Sequence, residues 1–298
     1  MRFCLEVWGR DYNKIKETCI LSEKLGYYGY YYGESLADID LDCWTVLSNL
    51  EAQTSRIKLG PVITYLFPQY RNISLLAKQA VTFQEISNGR LEFRTGAGAT
   101  LQYATQWWYP YGVDYPKEAE RVYLLEEGLQ VLQMLWNRSS TLFNGKYFKV
   151  NAASMQKPQT HIPITIAAKK TKMMCLAARY ADIWEASYLS PEQFRILNTT
   201  FYDISKKFGS KSITKSIELD VIIASSDSEL KYKEKLFAME RGPNVYNQIL
   251  GHGLVGTPYK IAEKLKDYSD AGIEQFFLAF QDPFDARALE LFIDSTKS

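Results

Sequence analysis

The chain has 298 residues, with 35 Lys and Arg against 34 Asp and Glu. This length can bury a large core, and the balanced charge gives no field that would attract nucleic acid or an acidic membrane surface. No apolar run is long enough to span a bilayer, and no signal peptide is evident, so we expect a cytoplasmic protein with no membrane contact. The two histidines and four scattered cysteines lack metal-ligand spacing. We therefore expect no metal site, and reduced, mostly buried thiols.

Short apolar segments alternate with helical stretches along almost the whole chain. The predicted strands are residues 2–7, 29–33, 57–64, 90–95, 163–167, 182–186, 217–224 and 275–280. Eight parallel strands that alternate with helices close into a barrel. We therefore predict an α/β protein with a (β/α)8 TIM barrel, and one domain that covers residues 1–298.

Several predicted helices have recognisable ends. Helix 13–25 ends at Gly26, a residue that readily adopts the left-handed conformation. Ser74 is placed to cap helix 75–86, and Pro258 stands at the first position of a later helix. A long amphipathic helix is predicted for residues 118–136, and the last helix for residues 285–293.

Two insertions interrupt the alternation. Residues 96–116, after the fourth strand, read as a long aromatic loop. Residues 141–150 read as a β-hairpin, in which Asn144 and Gly145 supply the positive backbone angles of a tight turn. A further stretch, residues 232–256, is predicted to be mainly helix followed by a glycine-rich loop.

Active sites of such barrels lie at the carboxyl ends of the strands, in the loops that follow. Glu34 and Ser35 follow the second strand, and Thr64 ends the third. These polar groups are candidates for proton transfer, although Glu34 lacks a second carboxylate and a structural role fits it as well. Three residues are candidates for the substrate side, with core packing or loop exposure as the alternative. They are Trp107, Trp108 and His252.

Two further loops have the character of a cofactor site. Gly96 to Ala99 lack large side chains, so a ring or phosphate can approach the backbone. Lys169, Lys170 and Thr171 join the fifth strand to a helix, and a helix N-terminus with nearby cations favours phosphate. The alternative is a solvated helix start. Since no Ser-His-Asp set or carboxylate pair stands out, we expect a cofactor to supply the chemistry.

The sequence resembles the luciferase-like oxidoreductases, the superfamily of bacterial luciferase, flavin-dependent monooxygenases and coenzyme F420-dependent reductases and dehydrogenases. The likeness covers nearly the whole chain. It is carried by residues 23–35, 44–47, 54–64, 76–79, 86–92, 96–98, 256–258 and 271–273.

The resemblance implies a barrel with the isoalloxazine or deazaflavin ring at its mouth. It also implies a bulge in the third strand with a non-proline cis peptide, here the Pro61–Val62 bond. The residues implied near the ring and its chain are Val62, Thr64, Gly96, Ala97, Gly98, Ala99 and Gln102. Those implied at the phosphate are Ala168, Lys169, Lys170 and Thr171. A homodimer, with helices near strands two and three at its interface, is also implied.

Departures from the family pattern shape the functional hypothesis. Many relatives have histidine where Ser35 stands, some have glutamate where Ala99 stands, and glycines commonly occupy the positions of Lys169 and Lys170. The missing histidine weakens an alcohol-oxidation reading, with Glu34, Ser35 and Thr64 left as the polar groups nearest the reacting ring edge. The lysines favour the more anionic tail of coenzyme F420.

The leading hypothesis is therefore F420-dependent hydride transfer to or from a small organic substrate, with C=C or C=N reduction favoured. One alternative is an FMN-dependent monooxygenase that uses O2 and reduced flavin from a partner reductase. Another is a non-catalytic flavin-binding protein.

Overall fold

The structure is a computed structural model that describes residues 1–209 and 212–297. In chain order its strands are β1 Arg2–Val7, β2 Gly29–Tyr32, β3 Lys58–Pro61, β4 Phe93–Thr95, β5 Thr141–Asn144, β6 Lys149–Ala153, β7 Ile164–Ala167, β8 Ile183–Ser187, β9 Thr214–Ile223, β10 Leu254–Gly256 and β11 Gln275–Phe280.

The helices surround this sheet. They are α1 Tyr12–Leu25, α2 Cys43–Glu51, α3 Ile73–Ile86, α4 Leu101–Trp107, α5 Glu118–Asn137, α6 Thr171–Tyr180, α7 Pro191–Lys206, α8 Asp227–Arg241, α9 Pro243–His252, α10 Pro258–Asp270 and α11 Ala286–Ser295. Among the described residues, we find no helix with the length and apolar character needed to cross a bilayer.

Eight parallel strands of the described chain close into a barrel, which confirms the predicted fold. Their order is β3-β2-β1-β11-β9-β8-β7-β4, and bridges at Leu59–Leu91 and Thr64–Thr95 join the two ends. Strand β10 pairs with β9 outside this ring. All eight predicted strands are present, although β3 and β4 are shorter than expected.

Helix boundaries agree with the sequence at one end of α1 and differ at the start of α3. Gly26 ends α1 with φ 92°, in the predicted left-handed conformation. The N-cap of α3 is Asn72, not Ser74 as predicted. The Asn72 carboxamide oxygen accepts from the backbone N–H groups of Ser74 and Leu75. Both residue types are good N-caps, and the hydrophobic pattern does not fix the first turn to within two residues.

The predicted hairpin forms from β5 and β6. The prediction that Asn144 and Gly145 supply the positive backbone angles of a tight turn is wrong. Neither Asn144 nor Gly145 has a positive φ, and the Gly145 N–H donates to the carbonyl of Phe148. The reason lies in α5, where the Glu127 carboxylate accepts from the backbone N–H groups of residues 146–148. The loop folds around this side chain, and Gly145 is needed there because a Cβ would collide with Glu127.

The aromatic insertion after β4 is not a plain loop. It contains α4 and a 3-10 turn at Tyr109–Tyr111. Trp108 lies at its centre, 1% exposed, with ring contacts to Tyr65, Tyr70 and Tyr115. The insertion therefore adds its own aromatic core beside the barrel mouth.

Strand β3 contains the expected bulge without the expected cis peptide. From Leu59 to Thr64 is five residues, whereas their bridge partners Leu91 and Thr95 are four apart. One extra residue therefore sits in β3. No peptide bond in the described chain is cis, so the Pro61–Val62 bond is trans. The prediction of the bulge is confirmed, and the prediction of its peptide geometry is wrong.

Candidate functional site

The barrel mouth begins where alternate residues of β1 and β2 point inward. A buried cluster of Cys4, Tyr31, Val62 and Phe277 fills the interior, and Trp8 packs on top of it. Since side chains alternate along a strand, Gly33 points inward like Tyr31. A Cβ on Gly33 would come within 2.6 Å of Trp8 Nε1. Glycine at this position therefore lets the Trp8 indole lie across the end of β2.

The β3 bulge forms a second wall of the mouth. Val62 belongs to the interior cluster, and the extra residue turns the neighbouring Ile63 toward β4 as well. A Cβ on Gly96 would lie 3.0 Å from Ile63 Cδ1 and 3.5 Å from Ala167 Cβ. The small residues at the ends of β4 and β7, Gly96 and Ala167, leave this wall apolar and without large side chains. A planar ring can therefore approach the backbone there.

The glycine loop, Gly96 to Ala99, turns away from the mouth after Ala97. Gly98 has φ 91°, and the Ala99 carbonyl accepts from Tyr115 Oη at 2.8 Å and from Arg121 Nη1 at 2.6 Å. These two bonds fix the loop where it leaves the barrel. Gln102 lies in the first turn of α4 with its side chain exposed.

The lysine turn, residues 169–171, lies on the neighbouring part of the rim between β7 and α6, because β7 pairs with β4. Lys169 Nζ donates to the Ser187 carbonyl at the end of β8, at 3.0 Å, and Lys170 pairs with Glu118 at an exposed site. No side chain caps the first turn of α6, so Thr171 starts a helix with unpaired N–H groups. The Ala168 N–H donates to the Glu185 carbonyl, and the Ala168 carbonyl accepts from Trp184 Nε1. Ala168 therefore offers no free N–H to a ligand.

Glu34 and Thr64 lie on the outer side of the strands, away from the barrel axis. Glu34 forms an ion pair with Arg71 and accepts from Tyr70 Oη at 3.2 Å. Thr64 is fully buried. The bulge reverses the alternation of side-chain directions beyond Ile63, so Thr64 points to the outer side. Burial raises the pKa of Glu34, and the nearby Arg71 and Thr64 groups oppose that rise. We therefore withdraw both residues as groups that face the reacting ring edge.

Ser35 does reach the mouth, where it meets a residue that the sequence did not indicate. Ser35 Oγ donates to Asp40 Oδ1 at 3.0 Å, and Asp40 Oδ2 is buried without a hydrogen-bond partner. A Cβ on Gly33 would lie 2.9 Å from that oxygen. Burial raises the pKa of Asp40 to about 6, and the neighbouring Glu34 charge adds to the rise.

Below the mouth, Arg94 forms the centre of a buried charged cluster. Its guanidinium contacts Glu6 and Glu185, and it contacts Glu218 at 2.9 Å. The Arg94 guanidinium also lies 4.1 Å from the centroid of the Phe277 ring. Burial raises the pKa of Glu6 and of Glu218, and Arg94 opposes both rises. Three carboxylates against one arginine favour retention of a proton inside the barrel.

The cluster reaches the surface on the β8–β9 side. Tyr188 Oη donates to Glu218. The Tyr188 ring packs edge-on against the His252 ring, with the ring centroids 5.3 Å apart. His252 Nε2 lies 3.7 Å from Asp220 Oδ2 and has no hydrogen-bond partner. His252 thus lies beside Tyr188 and Asp220, and its role on the substrate side stays a prediction.

The two tryptophans proposed for the substrate side have different surroundings. Trp107 is partly exposed and packs against Tyr103, with ring centroids 4.6 Å apart. Trp108 is enclosed in the aromatic core of the insertion. We therefore keep Trp107 as a candidate and assign Trp108 to packing.

Sequence reasoning missed the interior cluster and Asp40. A signal for the cluster exists, since Glu6, Arg94, Glu185 and Glu218 each place a charge within a largely apolar strand. Such charges are expected to be paired when their strands are buried on both faces. No comparable signal marks Asp40, because its position depends on how the loop after β2 folds back.

The barrel and the loops at its mouth agree with the fold that the resemblance implies. Residues 6–239 match the luciferase-like monooxygenase family. The chain belongs to this family, which confirms the resemblance stated from the sequence.

Curated relatives of the chain differ in their named activities. The chain is 32% identical over 148 residues to the pyrimidine monooxygenase RutA of Yersinia enterocolitica, covering 49% of this chain and 38% of that protein. It is 28% identical over 138 residues to an F420-dependent glucose-6-phosphate dehydrogenase of Nakamurella multipartita, covering 46% and 39%. The chain thus spans less than half the length of these two curated relatives.

Solved structures confirm the fold over the full length. An F420-dependent secondary alcohol dehydrogenase, solved with an F420–acetone adduct, superimposes with a TM-score of 0.86. The alignment covers 99% of this chain and 98% of that one at 16% identity. Identity at this level establishes a shared fold, and the activity has to be argued from the residues of the site.

Proposed function

We propose that this protein is an F420-dependent oxidoreductase that transfers a hydride between the deazaflavin ring and a small organic substrate. The observation that carries the proposal is a first, apolar rim that lies next to a second, cationic rim at the barrel mouth. The first is formed by Ile63, Gly96 and Ala167, and the second by Lys169 and Thr171.

The first rim suits a planar ring. Ile63 and Val62 fill the bulge of β3, and Gly96 leaves the facing strand without a side chain. A tricyclic ring placed here has apolar contacts on one face and the open mouth on the other. When bound, the deazaflavin supplies the site that accepts or donates the hydride, and the chain's residues orient it and exclude water.

The second rim suits a phosphate-bearing tail. The first turn of α6 has no side-chain cap, and the Thr171 hydroxyl stands at its start. Lys169 adds a positive charge beside this turn, and Lys170 adds a second one that is paired with Glu118. Charge-assisted contacts of this kind favour a tail with several anionic groups, and the F420 tail carries more negative charge than the FMN phosphate.

One observation favours a second candidate, an FMN-dependent monooxygenase. The match to RutA at 32% identity is as extensive as the match to the F420-dependent relative. In that case the same mouth would bind reduced FMN delivered by a reductase partner, and O2 would be consumed. The apolar wall serves both rings, so only the tail contacts distinguish the two cofactors.

A binding titration separates these candidates. Purified apo-protein is titrated with F420 and, separately, with FMN, each in oxidised and reduced form. The proposal predicts micromolar F420 binding with FMN at least about tenfold weaker, a difference of roughly 1.4 kcal/mol. The opposite preference would refute the deazaflavin assignment and support the monooxygenase, which is then tested by oxygen uptake with reduced FMN.

We further propose that the protein acts as a homodimer through helices near β2 and β3. Support comes from α3, where Leu75 and Ile86 are about half exposed. Sedimentation equilibrium of the wild type and of L75E checks this. A dimer that becomes a monomer in the variant agrees with the proposal, and a wild-type monomer refutes it.

A further inference from the structure

Two neighbouring parts of the barrel wall carry acidic side chains into its interior. On β9, Glu218 pairs in register with Phe277, whose ring belongs to the interior cluster, so Glu218 points inward. Asp220 lies two residues further along β9 and points the same way, nearer the mouth. On β1, Glu6 follows the interior residue Cys4 at the same spacing. Since only β11 separates β1 from β9, these three carboxylates line one side of the barrel, which we call the acidic sector.

The acidic sector lies across the barrel from the apolar wall of the mouth. In the closed ring of eight strands, β9 is the fourth strand from β3 in either direction. The bulge of β3, which contains Ile63, is therefore on the side opposite Asp220. A substrate that lies against a ring bound at the apolar wall has the acidic sector on its other side.

The fold supplies little positive charge to the acidic sector. Arg94 is shared by three carboxylates, two of which belong to the sector. In the described chain, the basic atom within 4 Å of the Asp220 carboxylate is His252 Nε2, at 3.7 Å. That distance is too long for a hydrogen bond, and a histidine is charged only when it is protonated. The sector therefore carries an excess of negative charge over the cations that the fold provides.

Unpartnered atoms in the acidic sector point to a ligand. Glu6 is 1% exposed, and its Oε2 has no hydrogen-bond partner. His252 Nε2 also lacks a partner, in a side chain that is 15% exposed. Burial and the charges of the three carboxylates of the sector raise the pKa of Tyr188, so its hydroxyl lies close to all of them. A buried carboxylate oxygen without a donor is costly, and a ligand that brings donors would complete its bonding.

We propose that the acidic sector binds a positively charged group of the substrate, of the ammonium, amidinium or guanidinium type. That the ligand is the substrate rests on the proposed function, whereas the cation site itself rests on the charges of the sector. A bound organic cation compensates the excess carboxylate charge and brings the donors that the carboxylate oxygens lack. Among ligands of one shape, the site therefore selects the cation over the neutral molecule and the anion.

The two histidines of the chain make the site observable by NMR. His252 lies beside Asp220, whereas His161 precedes β7 at the other end of the barrel and is paired with Asp182. The ring 1H–13C resonances are assigned with the variant H161Q. The F420-free protein is then titrated at neutral pH with benzylamine, benzyl alcohol and benzoate. These probes have similar shapes, and only benzylamine is a cation under these conditions.

We expect benzylamine to shift the His252 resonances saturably, with a Kd of about 1 mM or below, and to leave the His161 resonances in place. D220N keeps the shape of the side chain and removes its charge, so benzylamine is expected to bind at least about tenfold more weakly. The matched control is D38N, at a side chain that is 81% exposed. It should bind benzylamine within about twofold of the wild type.

The comparison of probes needs the wild type alone, so it decides even if D220N does not fold. Benzyl alcohol or benzoate that binds as tightly as benzylamine overturns the cation site, and so does a folded D220N that binds benzylamine like the wild type. Equal shifts at His161 and His252 overturn it as well.

Titrations with oxidised F420 separate this inference from the proposed function. Because the acidic sector lies across from the apolar wall, F420 and benzylamine are expected to bind together. Displacement of benzylamine by F420 would overturn the role of the sector as a substrate site. If F420 binds and benzylamine leaves His252 unchanged, with or without F420, the cation site fails while the proposed function stands. If benzylamine binds and F420 does not, the proposed function fails, and the cation site stands without a role in hydride transfer.

Discussion

The barrel interior around Arg94 and the barrel mouth around Asp40 differ in whether a cation pairs with the buried carboxylates. Inside, all three nitrogens of one guanidinium contact carboxylates, from Glu6, Glu185 and Glu218. At the mouth, Asp40 has no cation as a partner and accepts only from Ser35. One oxygen lacks a hydrogen bond in each region, Glu6 Oε2 inside and Asp40 Oδ2 at the mouth. The two regions therefore differ in the cation that compensates buried carboxylates, which only the interior has.

Glu34 shows that the distinction is not simply one of depth. It lies in the same loop as Asp40 and is as deeply buried, yet it pairs with Arg71 and accepts from Tyr70. Its Oε1 holds the loop against the start of α3, whereas its Oε2 has no hydrogen-bond partner. Asp40, six residues later, has only the Ser35 hydroxyl. The two carboxylates of one loop thus differ in that a guanidinium compensates only Glu34.

The largest effect is expected from the interior. R94M removes the cation that pairs with Glu6, Glu185 and Glu218 in the described chain and leaves uncompensated buried charge. Loss of one partner from a buried ionic cluster costs about 3–5 kcal/mol. Thermal and urea unfolding measure this. The control, R10M, breaks an exposed pair with Asp38 and is expected to cost less than about 1 kcal/mol. Equal losses in the two variants would contradict a structural role for the cluster.

A second interior variant tests the sign of the pH dependence. Burial raises the pKa of Glu6 in the folded protein above its ordinary value of 4.5. A raised pKa means that Glu6 favours the fold at low pH, and that this contribution is lost as pH rises toward the folded pKa. In that window the wild type loses up to about 1.4 kcal/mol per pH unit through Glu6.

E6Q cannot ionise, so its unfolding free energy is expected to fall less between pH 5 and pH 9. Urea unfolding at several pH values measures both proteins. A wild-type curve parallel to that of E6Q would contradict a raised pKa at Glu6.

The smallest effect is expected at the cationic rim. K169A removes the lysine that reaches the Ser187 carbonyl at the mouth, and we expect F420 affinity to fall about tenfold, or 1.4 kcal/mol. The matched control is K172A, because Lys172 lies over the Tyr123 ring on α5. The K172A control should bind F420 with an affinity within about twofold of that of the wild type. If both variants bind equally well, the lysine turn does not hold the tail.

Much of the fold was predictable because barrels repeat a simple pattern. Each strand is a short apolar run, and each helix has an amphipathic stripe with a cap residue, as at Gly26. The position of the loops after β4 and β7 was also predictable, since such loops must lie at the carboxyl edge. Gly96 and Lys169 lie in these loops, and their contact with a cofactor stays a prediction.

The remaining features depend on contacts between distant segments. Glu127 reshapes the hairpin loop from another element, and no local pattern in residues 144–148 reveals it. The bulge reverses the side-chain alternation beyond Ile63, so Thr64 faces away from the mouth that its position in the sequence indicated. Asp40 enters the site because the loop folds back over Gly33. Each of these outcomes is decided by tertiary packing.

The most direct test of the cofactor site is a crystal structure of the protein with oxidised F420. We predict the deazaflavin ring against Ile63 and Gly96, with one edge toward Asp40, and the tail phosphate at Thr171 and Lys169. A ring bound elsewhere, or a tail that leaves the first turn of α6 unoccupied, would contradict the assignment of the barrel mouth as the site of hydride transfer.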